Sequence, residues 1–345
     1  MRRLFSLLAF IIIFIVIIGN VIGWLGAKFS SSDKVVGVIK LYGEITTSDD
    51  GNSIFGDRWA SADKVCKLIR EARSDNDIAG VVVRVNSPGG TIAASQEIYD
   101  ALKKLAKKKP VVVSMGDVGA SGAYYISAAA HEIIVNPGTT TGSIGVIAMF
   151  ANASGLFQKI GLDHSTVKSG KFKDLGNTAR PMTEEERELV EKIIMDDYEQ
   201  FIEAVIEGRQ KAVKTLLEKR LKEADALEDV VESEEIDKIA EGKTAEDQAG
   251  AGVANEFVEE WIRSYADGRI FNGRQALEYG FADRLGNFRD AIRICGRKAG
   301  IKGKPDVVSL RTHRNLLDVL FEMSNRPVPF KLQLPSSLQI KFIMP

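Results

Sequence analysis

Hydrophobic and polar residues alternate in blocks along the chain, and these blocks predict strands and helices in turn. Short apolar runs bounded by polar residues are typical of buried strands. Five runs have this character: residues 35–45, 79–85, 110–115, 132–136 and 143–149. Residues 60–73 and 92–106 instead carry apolar side chains at helical spacing, and residues 120–130 are small and apolar, which predicts a buried helix. The alternation of strands with helices predicts an α/β fold with crossover connections.

The N-terminal block differs from the rest because residues 4–25 contain no charged side chain. At about 1.5 Å per residue, a helix of this length spans a hydrocarbon core of about 30 Å. Arg2 and Arg3 precede the block, which keeps the N-terminus in the cytoplasm. A cleavable signal peptide is the alternative, but Trp24 and Leu25 stand where its cleavage site requires small residues. We therefore predict a single-pass membrane anchor at residues 1–28, with the rest of the chain outside the cytoplasm.

The remaining chain divides into a polar linker at residues 29–34, a domain at residues 35–305 and a tail at residues 306–345. Within the domain, Thr183 and Glu186 form a capping-box pattern that begins a helix extending to Ile206. Residues 209–255 are rich in Lys and Glu and are interpreted as a solvated helical insertion, the alternative being a surface that contacts a partner. The tail is interrupted by prolines. It either packs on its own domain or lies in a groove as an added strand that regulates access.

Charge and cysteine content narrow the class of protein. The 345 residues carry 46 Lys+Arg and 47 Asp+Glu, a formal net charge of −1, which argues against a dedicated nucleic-acid binder. Cys66 and Cys295 are too few for a disulfide scaffold or a zinc site, and we expect two unpaired, partly buried thiols. One disulfide between them is the alternative. The sequence contains no metal-binding motif, phosphate-binding loop or dinucleotide fingerprint, so no metal or cofactor is expected.

Two turns rich in small residues are the candidates for chemistry. The sequence NSPGG at residues 86–90 follows a predicted strand and precedes a helix, so its N–H groups could form an oxyanion hole. A tight βα turn is the alternative. Ser121 lies in GDVGASGAYY, at a junction of strand and helix, where a nucleophile would be accessible and the Gly122 N–H could be a second donor. The alternative for Ser121 is an N-cap serine.

A serine nucleophile needs a base, and the sequence offers two kinds. The three histidines carry no catalytic-triad signature; they are His131, His164 and His313. A lysine can serve instead if burial lowers its pKa towards neutrality. The segment KSGKFKD supplies Lys168, Lys171 and Lys173 after a strand-like HSTV run, and in an extended segment the last two would share a face.

The motifs NSPGG, GASGAYYIS, TGSIGV and SGKFKD, in this order and spacing, resemble those of the signal peptide peptidase A family, the Ser/Lys membrane peptidases of family S49. The resemblance extends from about residue 35 to about residue 300 and is interrupted by the charged segment at residues 209–255. It implies a Clp protease/crotonase-like βαβ spiral with a parallel sheet. It also implies ring-like homo-oligomers whose active sites form between subunits.

The resemblance assigns roles to individual residues. Ser121 matches the nucleophile, Lys173 the general base, and Ser143 the serine that orients the lysine. Three glycines match the oxyanion hole: Gly89, Gly90 and Gly122. Lys171 competes for the role of base, but family members place the base just before an acidic or small residue, here Asp174. Ala123 replaces a glycine that is more common in the family motif.

A peptidase of this kind is expected to cleave hydrophobic peptides such as remnant signal peptides at the cell membrane. Its expected partners are those peptides, membrane lipid around residues 4–25, and further copies of the same chain. Two other functions remain as alternatives. One is an acyl-CoA enzyme of the crotonase type, which shares the oxyanion turn, and the other is an inactive membrane scaffold that binds peptides.

Overall fold

The computed structural model describes residues 34–48, 59–225, 253–310 and 341–342. The predicted membrane anchor at residues 4–25 lies outside these described residues. Within them, no helix combines the length and the apolar character that crossing a bilayer requires.

The described chain contains strands and helices in alternation, as the hydrophobic pattern predicts. The strands are β1 (Val35–Tyr42), β2 (Glu44–Thr46), β3 (Trp59–Ser61), β4 (Ile78–Ser87), β5 (Gly90–Thr91), β6 (Val111–Ala120), β7 (Glu132–Val135), β8 (Thr140–Gly142), β9 (Ile270–Phe271), β10 (Arg284–Leu285), β11 (Val307–Ser309) and β12 (Lys341–Phe342). The helices are α1 (Ala62–Ser74), α2 (Ile92–Ala106), α3 (Gly122–Ser127), α4 (Ser154–Lys159), α5 (Glu184–Asp225), α6 (Asn255–Tyr265), α7 (Gly273–Glu278) and α8 (Phe288–Lys298).

The main sheet is mostly parallel, which confirms the predicted mixed α/β architecture. Its strands follow the order β10-β7-β6-β4-β1-β11, and every neighbouring pair in this path is parallel. Strand β8 lies beside the C-terminal end of β6 and pairs antiparallel with β9. The C-terminal ends of β4 and β6 therefore meet at one edge, where loops leave the sheet towards α2 and α3.

Helices cover both faces of this sheet, so its strands are apolar on both sides. Val81 and Val83 of β4 belong to the large core cluster that also contains residues of α1, α2 and α3. Val82 points the opposite way and joins a smaller cluster with Ala291 and Ile294 of α8. This alternation explains why the strand sequence is a continuous apolar run and carries no period-two polarity.

A second, smaller sheet in the order β12-β5-β2-β3 lies beside the NSPGG turn. Ile45 of β2 pairs with Gly90 of β5 in parallel. The tail residues Lys341 and Phe342 form β12, which pairs antiparallel with Thr91 and Gly90. The tail thus contributes an added strand, one of the two arrangements that its sequence allows.

Helix α5 corrects the interpretation of the charged segment that begins at residue 209. The helix continues without interruption to Asp225, and Val213, Leu217 and Leu221 on it are buried. These positions recur every four residues and form an apolar stripe beneath the Lys and Glu side chains. One face of residues 209–221 therefore belongs to the core, whereas residues 226–252 lie outside the described part of the chain.

Arg209 is the largest fully buried side chain on this helix. Its Nη1 lies 2.8 Å from Asp283 Oδ2, and its Nη2 donates to the Gly280 carbonyl at 2.9 Å. Asp283 also accepts the amide of Ile133 at the edge of β7. The buried ion pair therefore connects α5, the α7–β10 loop and the main sheet.

Two further predictions about local structure are wrong. The apolar run at residues 143–149 does not form a strand, because β8 ends at Gly142 and Ser143 has a φ of +50°. The HSTV segment at residues 164–167 is irregular, and Val167 is 99% exposed. Residues 171–176 form turns, so Lys171 and Lys173 do not lie on an extended segment.

Removing Arg209 is expected to destabilise the fold strongly. Arg209→Ala leaves the Asp283 carboxylate and the Gly280 carbonyl without their charged partner, which costs about 3–5 kcal/mol for a buried pair. Arg263→Ala removes an exposed pair with Glu199 and should cost less than about 1 kcal/mol. Urea unfolding of both variants measures the difference, and equal losses would contradict the anchoring role of Arg209.

Candidate active site

Ser121 occupies a strained turn between β6 and α3. Its backbone φ of +54° lies in a region that non-glycine residues rarely adopt, and its N–H donates to the Gly142 carbonyl at 2.8 Å. The residue is fully buried, and its Oγ has no hydrogen-bonding partner among the residues that the structure describes. Ser121 occupies the N-cap position of α3, as the alternative interpretation predicts, but its side chain makes no capping hydrogen bond. A buried unpaired hydroxyl costs about 1–3 kcal/mol, which makes a purely structural role a poor explanation.

Ser143 lies next to Ser121 across the β6–β8 pair. Ala120 is in register with Gly142, so each serine directly follows the last paired residue of its strand. Ser143 has a φ of +50°, and its N–H donates to the Arg269 carbonyl at 2.8 Å. Among the residues that the structure describes, these two serines alone adopt positive φ without being glycine. Such strain persists only where the surroundings enforce it, and it concentrates at functional sites.

The NSPGG turn places glycine backbone beside this pair. A Cβ on Gly90 would lie 2.0 Å from the Ile45 carbonyl oxygen, so no side chain fits there. A Cβ on Gly122 would lie 3.4 Å from Gly90 N, so the two glycines lie close together. The Gly89 N–H donates to Ser87 Oγ at 3.2 Å, and its φ of +108° makes the turn. Gly90 and Gly122 are therefore the candidates for oxyanion donors, whereas Gly89 supplies the conformation.

Helix α3, which follows Ser121, is fixed on several sides. The Tyr124 hydroxyl donates to the Phe281 carbonyl at 2.8 Å, and burial raises the pKa of this tyrosine. A Cβ on Gly208 of α5 would lie 2.0 Å from the Ala128 carbonyl oxygen, so α5 packs directly against the end of the α3 segment. Ser121 is thus held on a rigid element, as an active-site nucleophile requires.

The three candidate lysines differ in their partners. Lys168 Nζ pairs with the Asp174 carboxylate and donates to the Lys171 carbonyl at 3.0 Å. Lys171 pairs with Glu185 on α5. Lys173 is exposed and has neither a carboxylate nor a hydrogen-bond acceptor for its amine in the described part of the chain. Within one copy the Lys173 amine is not hydrogen-bonded to the Ser121 hydroxyl, since that hydroxyl has no partner among the described residues.

The histidines do not supply a base either. His131 Nδ1 accepts the amide of Val111 at 3.1 Å, and burial lowers the pKa of the ring. His164 lies in the exposed irregular segment before Lys168. His313 lies outside the described residues. No described histidine is bonded to the Ser121 hydroxyl.

The chain has protease relatives in bacteria and archaea. It is 36% identical over 249 residues to the putative protease slr0021 of Synechocystis sp., a match that covers 72% of this chain and 71% of that protein. The chain belongs to peptidase family S49. The profile of that family, "Peptidase family S49", matches residues 103–228, and the profile "Clp protease" matches residues 56–140. This S49 peptidase is accordingly a serine peptidase.

A further relative and a solved structure carry related descriptions. The S49 peptidase is 29% identical over 263 residues to the putative signal peptide peptidase SppA of Enterococcus faecium, covering 76% of this chain and 63% of that protein. A solved structure of the 1510-N membrane-bound stomatin-specific protease, a mutant in complex with a substrate peptide, is 14% identical with a TM-score of 0.44, covering 85% of this chain and 98% of that chain.

The cysteines of the S49 peptidase stand apart from this site. Cys66 and Cys295 are both buried and unpaired, as the sequence predicts. Burial raises the pKa of the Cys295 thiol to about 12 and also raises the pKa of Cys66. A thiol with a raised pKa is a weak nucleophile at neutral pH.

Gly90→Ala is expected to disrupt the oxyanion turn. The added methyl would collide with the Ile45 backbone, which cannot yield as a side chain could, and overpacking of this kind costs about 1–3 kcal/mol or more. Gly138→Ala is the matched control, since a Cβ there meets nothing within 4 Å. The melting temperature and the rate of peptide cleavage should both fall in Gly90→Ala and stay near wild type in Gly138→Ala. A stable, active Gly90→Ala protein would refute the close approach of Gly90 to the Ile45 backbone.

Proposed function

We propose that this S49 peptidase hydrolyses peptide bonds with Ser121 as nucleophile and Lys173 of a second copy as general base. The observation that carries the proposal is the Ser121 hydroxyl, which is buried, strained and without a partner beside the Gly90 and Gly122 backbone. Lys173 is supported as the base because its amine, unlike those of Lys168 and Lys171, pairs with no carboxylate in the described part of the chain.

The segment that carries Lys173 supports the contribution of a second copy. Residues 147–172 expose a set of large apolar side chains that a monomer would leave in water. The exposed fractions are Met149 73%, Leu156 57%, Ile160 64%, Leu162 51% and Val167 99%. Covering them with another copy would remove apolar surface from water and could bring Lys173 into a dry environment next to the other copy's Ser121. We therefore propose a ring-like homo-oligomer with shared active sites.

The proposed chemistry is acyl transfer. The neutral amine of Lys173 takes the proton of the Ser121 hydroxyl while Oγ bonds to the carbonyl carbon of the peptide. The carbonyl electron pair moves to oxygen, where the N–H groups of Gly90 and Gly122 stabilise the negative charge. The C–N bond then breaks, and the leaving amine receives the proton from Lys173. Water, activated by the same amine, hydrolyses the ester and regenerates Ser121.

Ser143 is proposed to orient the lysine amine. It directly follows the last residue of β8, which is in register with the residue before Ser121, and adjacent strands lie about 4.8 Å apart. A hydroxyl there can accept a hydrogen bond from the amine while that amine faces Ser121 Oγ. The positive φ of Ser143 is the backbone feature that turns it out of the strand.

The pairing of β12 with β5 indicates how a peptide would bind. Lys341 and Phe342 lie antiparallel to Thr91 and Gly90, so the edge beside the proposed oxyanion donor accepts extended backbone. Addition of a strand to an open sheet edge is a general mode of peptide recognition. A substrate bound in this way would compete with the tail.

The proposed substrates are hydrophobic peptides such as remnant signal peptides, and the proposed location is the cell membrane. The support is the uncharged block at residues 4–25, preceded by Arg2 and Arg3, which would place the catalytic domain outside the cytoplasm and close to the bilayer. Apolar segments released into the membrane would be concentrated there.

Mixing two inactive variants tests whether the site is shared. Ser121→Ala and Lys173→Ala are each expected to lose peptide cleavage and fluorophosphonate labelling. An equal mixture, dissociated and reassembled, should recover about a quarter of wild-type activity, since about one site in four then holds both intact residues. Lys171→Ala is the control and should keep its activity. Cleavage by Ser121→Ala would refute the nucleophile, and no recovery in correctly assembled mixtures would refute the shared site.

Removing the added strand tests the competition at β5. A chain ending at Ile340 lacks β12, so kcat/KM for short peptides should rise several-fold, mainly through a lower KM. Lys341→Ala should change little, because strand pairing uses the backbone. Unchanged or reduced kcat/KM in the shortened chain would show that the tail does not occupy the substrate edge.

A further inference from the structure

Arg180 is the centre of an ion network behind the proposed catalytic lysine. Its Nε donates to Asp174 Oδ2 at 2.9 Å, and its Nη1 donates to Glu186 Oε2 at 2.8 Å. Arg180 Nη2 also donates to Glu186 Oε1, and the Lys168 amine donates to Asp174 Oδ1. Asp174 directly follows Lys173 in the chain. No sequence motif points to Arg180, although the capping-box residue Glu186 lies only six positions away.

The network is shielded from water at its carboxylates. The side chains of Asp174 and Glu186 are 10% and 3% exposed, and that of Arg180 is 28% exposed. Hydrogen bonds from Arg180, and then from Lys168, hold the pKa of Asp174 well below its usual range. Arg180 and the backbone amide of Thr183 lower the pKa of Glu186 to about 2. Both carboxylates are therefore ionised throughout the pH range in which a peptidase of this type would work.

The network fixes the loop that carries Lys173 to the first turn of α5. Thr183 and Glu186 form a reciprocal capping box, with the Thr183 amide donating to Glu186 Oε2 at 2.9 Å. The loop itself is closed by turns, in which Lys173 N donates to the Gly170 carbonyl at 3.2 Å. The backbone on each side of Lys173 is thus held, whereas its amine extends into solvent.

Charge balance gives the network a second effect. It contains two cations and two carboxylates, and the neighbouring Lys171–Glu185 pair is also balanced. Because Lys168 and Arg180 occupy both oxygens of Asp174, this carboxylate does not pair with the adjacent Lys173. An unoccupied carboxylate there would stabilise the charged form of a lysine amine and oppose its action as a base.

We propose that Arg180 is a positioning residue for Lys173, which anchors its loop to α5 and keeps Asp174 from pairing with its amine. The inference rests on the proposed function, since it assumes that Lys173 is the general base. Arg180 would then influence the pH dependence of cleavage without touching the substrate.

The test compares rate–pH profiles of the full chain in detergent, with a fluorogenic peptide that the wild type cleaves. In Arg180→Gln, Asp174 keeps only Lys168 and can pair with Lys173. We expect kcat to fall about tenfold or more and the half-maximal pH of kcat to rise by about one unit. In Asp174→Asn a carboxylate is lost beside two cations, so the half-maximal pH should fall. Arg180→Lys should restore part of the rate, and Arg187→Gln, which alters an exposed pair with Glu184, should resemble wild type.

The two variants separate positioning from a loss of structure. A structural role alone would lower activity in Arg180→Gln and Asp174→Asn without moving their profiles in opposite directions, and that result would overturn the proposal. Melting temperature and oligomer size, measured on the same samples, identify a variant that fails to fold. If Arg180→Gln is such a variant, the rate–pH profile of Arg180→Lys is used in its place. If Lys173→Ala is fully active, the proposed function fails. If Lys173→Ala is inactive while Arg180→Gln matches wild type, only the role of Arg180 fails.

Discussion

The left-handed backbone at Ser121 is the constraint on which the rest of the site depends. A non-glycine residue at a φ of +54° costs about 1–3 kcal/mol, so the surrounding structure must enforce it. The bond from Ser121 N to the Gly142 carbonyl ties the residue to β8, and the packing of α5 against the α3 segment prevents the helix from moving away. The same pairing places Ser143 beside Ser121. Release of β8 would therefore relax the nucleophile and its proposed orienting partner together.

The proposed nucleophile and base are held by different means. Ser121 lies in the dense core around the main sheet, where glycines at positions 90 and 122 allow backbone to approach backbone. Lys173 lies on an exposed segment that depends on ion pairs with α5 and leaves large apolar side chains uncovered. A rigid nucleophile and a base on a projecting segment are what we expect of an enzyme whose active site is completed when copies of the chain assemble. In such an enzyme an isolated copy would hold a serine and a lysine that do not meet.

Much of the fold could be predicted from local patterns. The apolar runs of β4 and β6, and the helical spacing of α1 and α2, reflect burial on fixed faces, which periodicity records directly. The capping box of Thr183 and Glu186 was also predictable. Two features could not be predicted in this way. The end of β8 depends on the positive φ of Ser143, and the burial of α5 beyond residue 209 depends on α6, which covers one face of the helix. Both are set by residues that are distant in the chain.

The sequence by itself determined the family resemblance, the glycine turn, the candidate serines and the segment that carries the lysines, because each is a local pattern of residue types. Only the tertiary structure decided between the alternatives that these patterns left open. It showed that the side chain of Ser121 does not cap α3 and that Gly89 donates to Ser87. It also showed that Lys168 and Lys171 pair with carboxylates, whereas Lys173 has no such partner in the described part of the chain. These distinctions depend on which polar atoms meet in space, and ion pairs and hydrogen bonds form between residues whose separation in the chain gives no sign of contact.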